Sequence, residues 1–148
     1  MDVIQVHLTS SELITALERL EGKLLPARTL GHWAQAGLLT PSVEWAHTRR
    51  AGRMYSMRDL ARARLILRLK RAHISPARVR LVLAHIEKYA PDVFRANTQE
   101  VLRLSGWDVS LQRPGEPAHT VPEGQFLLPL SDVMTGNLEA IEGIRSAA

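Results

Sequence analysis

Side chains that can hydrogen-bond to phosphates or to base edges are concentrated in one short segment. Arg28, Thr29, His32 and Gln35 lie within eight residues of one another, among apolar residues at helical spacing. Arginine and glutamine can each make two parallel hydrogen bonds to one base, and arginine also binds phosphate oxygens. The segment therefore predicts a helix whose exposed face contacts nucleic acid.

A second group of basic residues follows this segment. Residues 47–71 contain nine Lys and Arg and a single acid, Asp59. This density is typical of a surface that binds a phosphate backbone, although a solvated helix face has the same composition. The nine are Arg49, Arg50, Arg53, Arg58, Arg62, Arg64, Arg68, Lys70 and Arg71.

Catalytic chemistry has no comparable pattern in the chain. The six histidines form no H-E-x-x-H motif, and the absence of cysteine argues against a structural zinc site. Neither a phosphate-binding glycine loop nor a G-x-S-x-G elbow is present. We therefore predict no enzyme activity, no catalytic residue, no metal site and no cofactor.

The nucleic-acid segment needs helices to position it, and the sequence predicts two before residue 38. A capping box from Thr9 to Glu12 opens the first helix, which ends near Gly22. Pro26 suits the first turn of the second helix, in which Leu30, Trp33 and Ala34 face inward and Gly37 marks the end. Two helices joined by a short turn are expected.

A hairpin and two further helices are predicted next. Residues 42–52 are polar and contain a turn signal near Gly52, which indicates a hairpin, or wing. Ser56 to Asp59 is a second capping-box pattern that opens a third helix. Ser75 and Pro76 then start a fourth helix, which Pro91 ends.

This order of elements resembles the MerR-type winged helix-turn-helix regulators. The matching segments are residues 28–33, 37–41 and 53–60 and the helix pair ending at Leu83. The resemblance covers residues 9–86. It implies that Arg28 and His32 lie against the major groove of double-stranded DNA, whereas wing residues and Tyr55 contact the sugar-phosphate backbone. The implied wing contacts are Arg49, Arg50 and Arg53.

The resemblance also implies a dimer that distorts promoter DNA between two half-sites. Members of the family usually dimerise through a long coiled-coil helix, but no long heptad run follows residue 86 here. The family usually has an arginine where this chain has Gly31. Because glycine in a helix costs about 1 kcal/mol relative to alanine, Gly31 indicates a close approach, either to DNA or to the neighbouring helix.

The C-terminal part has a different composition. Residues 1–90 carry a net charge of +8, whereas residues 91–148 carry −4. We expect a short helix at residues 98–104 and then strands at residues 107–112 and 125–130 that form a hairpin with a long tip. A final helix is expected at residues 131–144. This module either covers the core or associates with another chain, through Trp107, Phe126, Leu138 and Ile141.

The expected fold is mainly α with a small β wing. A winged helix-turn-helix domain at residues 1–90 would precede a small α+β module at residues 91–148. The resulting hypothesis is a cytoplasmic, homodimeric regulator that binds a near-palindromic site on double-stranded DNA. RNA polymerase or another protein is a further candidate partner, and no membrane association is expected. The alternatives are an antitoxin-like or adaptor protein that binds its partner through residues 91–148, and a nonspecific architectural DNA binder.

Overall fold

The computed structural model describes residues 6–41, 54–95, 97–113 and 125–147. The described residues form five α-helices, five short strands and one 3-10 helix, which confirms a mainly α fold with small antiparallel sheets. The helices are α1 (Ser10–Glu21), α2 (Thr29–Gln35), α3 (Met57–Arg71), α4 (Pro76–Tyr89) and α5 (Asn137–Ser146). The strands are β1 (His7–Leu8), β2 (Tyr55–Ser56), β3 (Val101–Ser105), β4 (Asp108–Gln112) and β5 (Phe126–Pro129). The 3-10 helix spans Leu130–Val133.

Helix starts follow the local signals in the sequence. The Thr9 hydroxyl accepts a hydrogen bond from the Glu12 amide at 3.1 Å, and the Thr9 amide donates to the Glu12 carboxylate at 3.0 Å. Ser56 and Asp59 make the same reciprocal pair at the start of α3. The Ser75 hydroxyl caps α4. These bonds satisfy amides that the first turn of a helix leaves without partners.

The chain forms two compact units. The first comprises residues 1–67 and 136–148, and the second comprises residues 68–135. In the first unit, β1 pairs antiparallel with β2, and α5 packs on α1. The predicted division at residue 90 stays a prediction about function, but α5 belongs structurally with the N-terminal elements.

Three predictions for the C-terminal part are corrected by the structure. Residues 101–105 form a strand, not a helix: Leu102 and Leu104 are buried and alternate with half-buried residues, which is the period of a strand. The strands at Asp108–Gln112 and Phe126–Pro129 exist, but both pair with β3 and not with each other. The final helix is interrupted at Gly136, whose φ of 85° lies in the left-handed region.

Among the described residues, none of the helices combines the length and the apolar character that a bilayer span requires. The same residues contain no cluster of three histidine, aspartate or glutamate side chains able to hold a metal ion.

Candidate nucleic-acid interface

Helix α2 presents a polar face and buries an apolar one. Leu30 and Trp33 are 6% and 2% exposed, whereas Arg28, His32 and Gln35 are exposed. Thr29 is half-buried. Arg28, His32 and Gln35 are separated by four and three residues, so they lie on one accessible side of the helix. We call Arg28, Thr29, His32 and Gln35 the α2 face.

The end of α2 is fixed by its own backbone. Gly37 adopts a φ of 72° and donates to the Ala34 carbonyl at 3.2 Å, while the Leu38 amide donates to the Trp33 carbonyl at 2.8 Å. This pair of bonds is a Schellman motif, in which a glycine allows the chain to leave the helix. Buried Leu38 and Leu39 follow directly and anchor the end of α2 in the core.

The start of α2 differs from the prediction. The helix begins at Thr29 and not next to Pro26, and residues 27–28 form a turn in which the Thr29 amide donates to the Pro26 carbonyl at 3.0 Å. Earlier in the connection, the Leu25 amide donates to the Glu18 carboxylate at 3.0 Å. This bond fixes the connection between α1 and α2, and no short sequence motif indicates it.

Gly31 lies on the exposed side of α2. A Cβ added at this position would meet no atom within 4 Å, and its φ is not in the left-handed region. Of the two interpretations of Gly31, a close approach to a neighbouring helix is therefore wrong. A close approach to bound DNA stays a prediction.

The basic run at residues 47–71 is not one open surface. Arg64 is 4% exposed, and its Nε donates to the Glu21 carboxylate at 3.0 Å while its Nη1 donates to Asn137 at 2.7 Å. Arg62 and Arg68 are half-buried. Every basic residue of α3 makes at least one interaction within the chain, and the charge of Arg64 is compensated by Glu21. These residues are Arg58, Arg62, Arg64, Arg68, Lys70 and Arg71.

The other predicted DNA contacts are the wing arginines and Tyr55. Arg49, Arg50 and Arg53 lie outside the described residues, as does the predicted hairpin at residues 42–52. Tyr55 is 4% exposed and pairs with Leu8 across β1 and β2. Because so little of its ring is accessible, we assign Tyr55 to the core of the first unit and not to the DNA surface.

The four predicted interface residues of the C-terminal part differ in how exposed they are. Trp107 and Leu138 are 64% and 50% exposed, and Phe126 is half-buried. Ile141, in contrast, is 1% exposed on α5, which packs on α1. Its side chain is therefore part of the core of the first unit and is not available to another chain. Spacing along a helix predicted an apolar side for α5 but not what that side contacts.

Residues 24–86 match a family model described as MerR HTH family regulatory protein. No curated protein and no solved structure gives a significant match to the chain. The matched range includes the α2 face, α3 and most of α4. The match supports a DNA-binding helix-turn-helix regulator, and the exposed α2 face lies within the matched range.

Proposed function

We propose that the protein regulates transcription by binding a specific double-stranded DNA site as a homodimer, because residues 24–86 match the MerR helix-turn-helix family model. The α2 face would enter the major groove of each half-site, and two-fold symmetry would match a near-palindromic sequence. The proposed action is distortion of promoter DNA between the half-sites, where RNA polymerase would be the next partner. A regulator with this action works in the compartment that holds the DNA, which in a cell without a nucleus is the cytoplasm.

The observation that carries this proposal is the exposure of the α2 face over a buried apolar side. Arg28 offers paired donors that suit guanine, and Gln35 offers a donor and an acceptor that suit adenine. His32 lies one turn from both and can donate to a base or to a phosphate. All three are exposed, so they can contact DNA without a rearrangement of the helix.

The proposed backbone contacts come from the wing. Arg49, Arg50 and Arg53 follow α2 in sequence within the part of the chain that carries the highest density of arginine. Contacts of this kind fix the position of a protein on a duplex and depend strongly on salt, whereas base contacts determine sequence preference. The two groups of residues therefore predict two separable effects on binding.

The direct test is fluorescence anisotropy of the full chain with a labelled duplex from upstream of its own gene and with a shuffled duplex, at two salt concentrations. A specific regulator should prefer the true site by about 10³-fold or more. Equal and steeply salt-dependent affinity for both duplexes would instead identify an architectural DNA binder. No binding to either duplex would contradict DNA recognition through the α2 face at this site.

A second candidate function rests on the exposed Trp107 of the second unit. An antitoxin-like or adaptor protein would regulate its own operon through the α2 face and hold a partner protein through residues 91–148. Exposed tryptophan is enriched at the centres of protein interfaces. A different protein that stays bound during purification at high salt would favour this function, whereas recovery of the chain alone would favour the homodimeric regulator.

A further inference from the structure

Strand β4 has one side without a strand partner in the described part of the chain. The sheet order is β4-β3-β5, so β4 is an edge strand. A two-residue turn at Gly106 and Trp107 joins β3 to β4, which makes Ser105 and Asp108 a hydrogen-bonded pair. Because such pairs alternate along antiparallel strands, Val109 and Leu111 direct their amides and carbonyls away from β3.

Within the described part of the chain, the groups that Val109 and Leu111 direct outward have no backbone partner. None of the backbone hydrogen bonds of the described residues reaches either residue from outside the sheet. An open cleft of about 420 Å³ follows this edge, with residues 109–111 on one side and His85 and Tyr89 of α4 on the other. The His85 and Tyr89 rings lie 4.8 Å apart, and Tyr89 is 60% exposed. Helix α4 therefore leaves the edge accessible.

The charged residues of the cleft do not favour a small ion as its occupant. The Arg95 guanidinium donates to the Glu100 carboxylate at 3.0 Å and also to the Asp92 carbonyl at 3.0 Å. A hydrogen bond from the Thr98 hydroxyl, reinforced by Arg95, holds the pKa of Glu100 below its usual value. These charges compensate one another, whereas Arg113, which also lines the cleft, makes no ion pair among the described residues. The open hydrogen-bonding groups of the cleft are therefore those of Arg113 and of the β4 backbone.

Several features that usually block edge-to-edge pairing are absent from β4, and its one charged residue, Asp108, is at the first position of the strand. The strand, Asp108–Gln112, contains no proline and no lysine, and its register with β3 is continuous, without a bulge. The opposite edge, β5, has four residues and ends in Pro129. Of the two edges, β4 is thus the one that can accept another strand.

We propose that β4 pairs antiparallel with β4 of a second copy of this chain, around a two-fold axis at Ser110. This inference rests on the proposed function because it identifies the surface of the homodimer. In this register Val109 faces Leu111 of the second copy, and both residues have outward-directed backbone groups. By symmetry four backbone hydrogen bonds form, and the small, exposed Ser110 faces its own equivalent.

The ends of β4 favour a second copy as the occupant. The same register brings Trp107 level with Arg113 of the second copy. Both residues are exposed, and Arg113 makes no ion pair among the described residues. Within one chain they lie at opposite ends of the strand, roughly 20 Å apart for six residues. An arginine over a tryptophan ring is a favourable cation–π contact, and the symmetry supplies it twice.

A dimer of this chain needs a contact surface other than a long coiled coil, because α4 is short. This helix ends at Tyr89 after 14 residues, so it does not provide a long coiled coil. A continuous six-stranded sheet across the two-fold axis would join the copies instead. Pairing of two five-residue strands buries little surface and would by itself give a weak interface. The Trp107 contacts and the His85 and Tyr89 rings would add to it.

The test uses the full chain, Ser110→Lys and Ser110→Asp in sedimentation equilibrium. Each variant places two like charges directly across the axis, which should weaken the dimer by about fivefold. An equimolar mixture of the two variants should recover a dimer at least as tight as the wild type, because opposite charges then meet. Gln99→Lys, an exposed substitution outside the strand, should dimerise like the wild type.

Hydrogen exchange gives an independent measurement of the same interface. The Val109 and Leu111 amides should exchange more slowly as protein concentration rises, whereas the Ser110 amide, which bonds to β3, should be protected at every concentration. The inference is overturned if the wild type is monomeric throughout, if both Ser110 variants dimerise as tightly as the wild type, or if only a different protein protects Val109 and Leu111. Anisotropy on the same samples separates these results from a failure of DNA recognition.

Discussion

Arg64 and Glu21 form a buried ion pair in the first unit, with the arginine Nε 3.0 Å from the glutamate Oε2. Their side chains are 5% and 0% exposed. A second bond from Arg64 reaches the Asn137 side-chain oxygen at 2.7 Å, so one guanidinium joins α3, α1 and α5. A residue that the sequence counts as part of a DNA-binding charge run thus holds the C-terminal helix on the N-terminal elements.

Removal of Arg64 should unfold the first unit more readily. Arg64→Met leaves the Glu21 carboxylate buried without its charged partner, and such a change costs about 3–5 kcal/mol of unfolding free energy. The double variant Arg64→Met with Glu21→Leu should recover most of this loss, because no buried charge remains. Urea denaturation measures both, and Arg71→Met, at an exposed position, is the control. Equal stability of Arg64→Met and the wild type would contradict the buried pair.

Gly31 provides a substitution that separates folding from binding. Gly31→Ala should stabilise the free protein by up to about 1 kcal/mol, because alanine has the better helix propensity and its Cβ meets no atom. If DNA approaches α2 closely at this point, the same variant should bind the true site at least about tenfold more weakly, a cost near 1.4 kcal/mol. Thermal unfolding and anisotropy measure the two effects.

Gly22→Ala is the matched comparison for Gly31→Ala. Gly22 also has open space around it, but its φ of 67° is strained for alanine, so this variant should lose stability. A Gly31→Ala protein that is more stable and binds DNA like the wild type would remove the close-approach explanation for Gly31.

Arg28 and Arg50 should affect DNA binding in different ways. Arg28→Ala should reduce the preference for the true site by about 1–3 kcal/mol, because a contact to a base edge is lost. Arg50→Ala should weaken binding to every sequence and lower the slope of log affinity against log salt by about one unit. Anisotropy at several salt concentrations distinguishes the two. Unchanged binding for either variant would show that its residue does not contact DNA.

Acid should weaken the attachment of α5 to α1. The Arg145 guanidinium donates to Glu12 at 2.8 Å, and this bond is the main cause that holds the pKa of Glu12 below its ordinary value. Because the folded pKa is below the unfolded one, the stabilisation is complete above the unfolded pKa and is lost as pH falls through the folded pKa. Melting temperature from pH 7 to pH 3 should therefore fall more steeply for the wild type than for Glu12→Gln.

Glutamine at position 12 keeps the capping box with Thr9 and removes only the charge. Glu142→Gln, at an exposed position of α5, should retain the wild-type pH profile. Parallel curves for Glu12→Gln and the wild type would show that the Arg145 contact does not contribute to acid sensitivity.

Short-range signals in the sequence determined much of the fold. The Thr9 and Ser56 capping boxes, the Ser75 cap and Gly37 each act through bonds to residues within five positions, so their types suffice to place the helix ends. The exposed α2 face was predictable for the same reason, since helical spacing separates Arg28 and His32 from Leu30 and Trp33. The resemblance to MerR-type regulators was also recognisable from short segments of the sequence.

Only the tertiary structure decided which residues meet across long distances in the chain. Leu102 and Leu104 form part of a strand because β3 is paired on both sides. Their partners in β4 are Leu111 and Val109, and their partners in β5 are Leu128 and Phe126. Arg64, Tyr55 and Ile141 look accessible by type or pattern, yet each is buried by segments distant in sequence. Burial and strand pairing depend on the sum of such distant contacts. The spacing of residues within one segment does not predict these contacts.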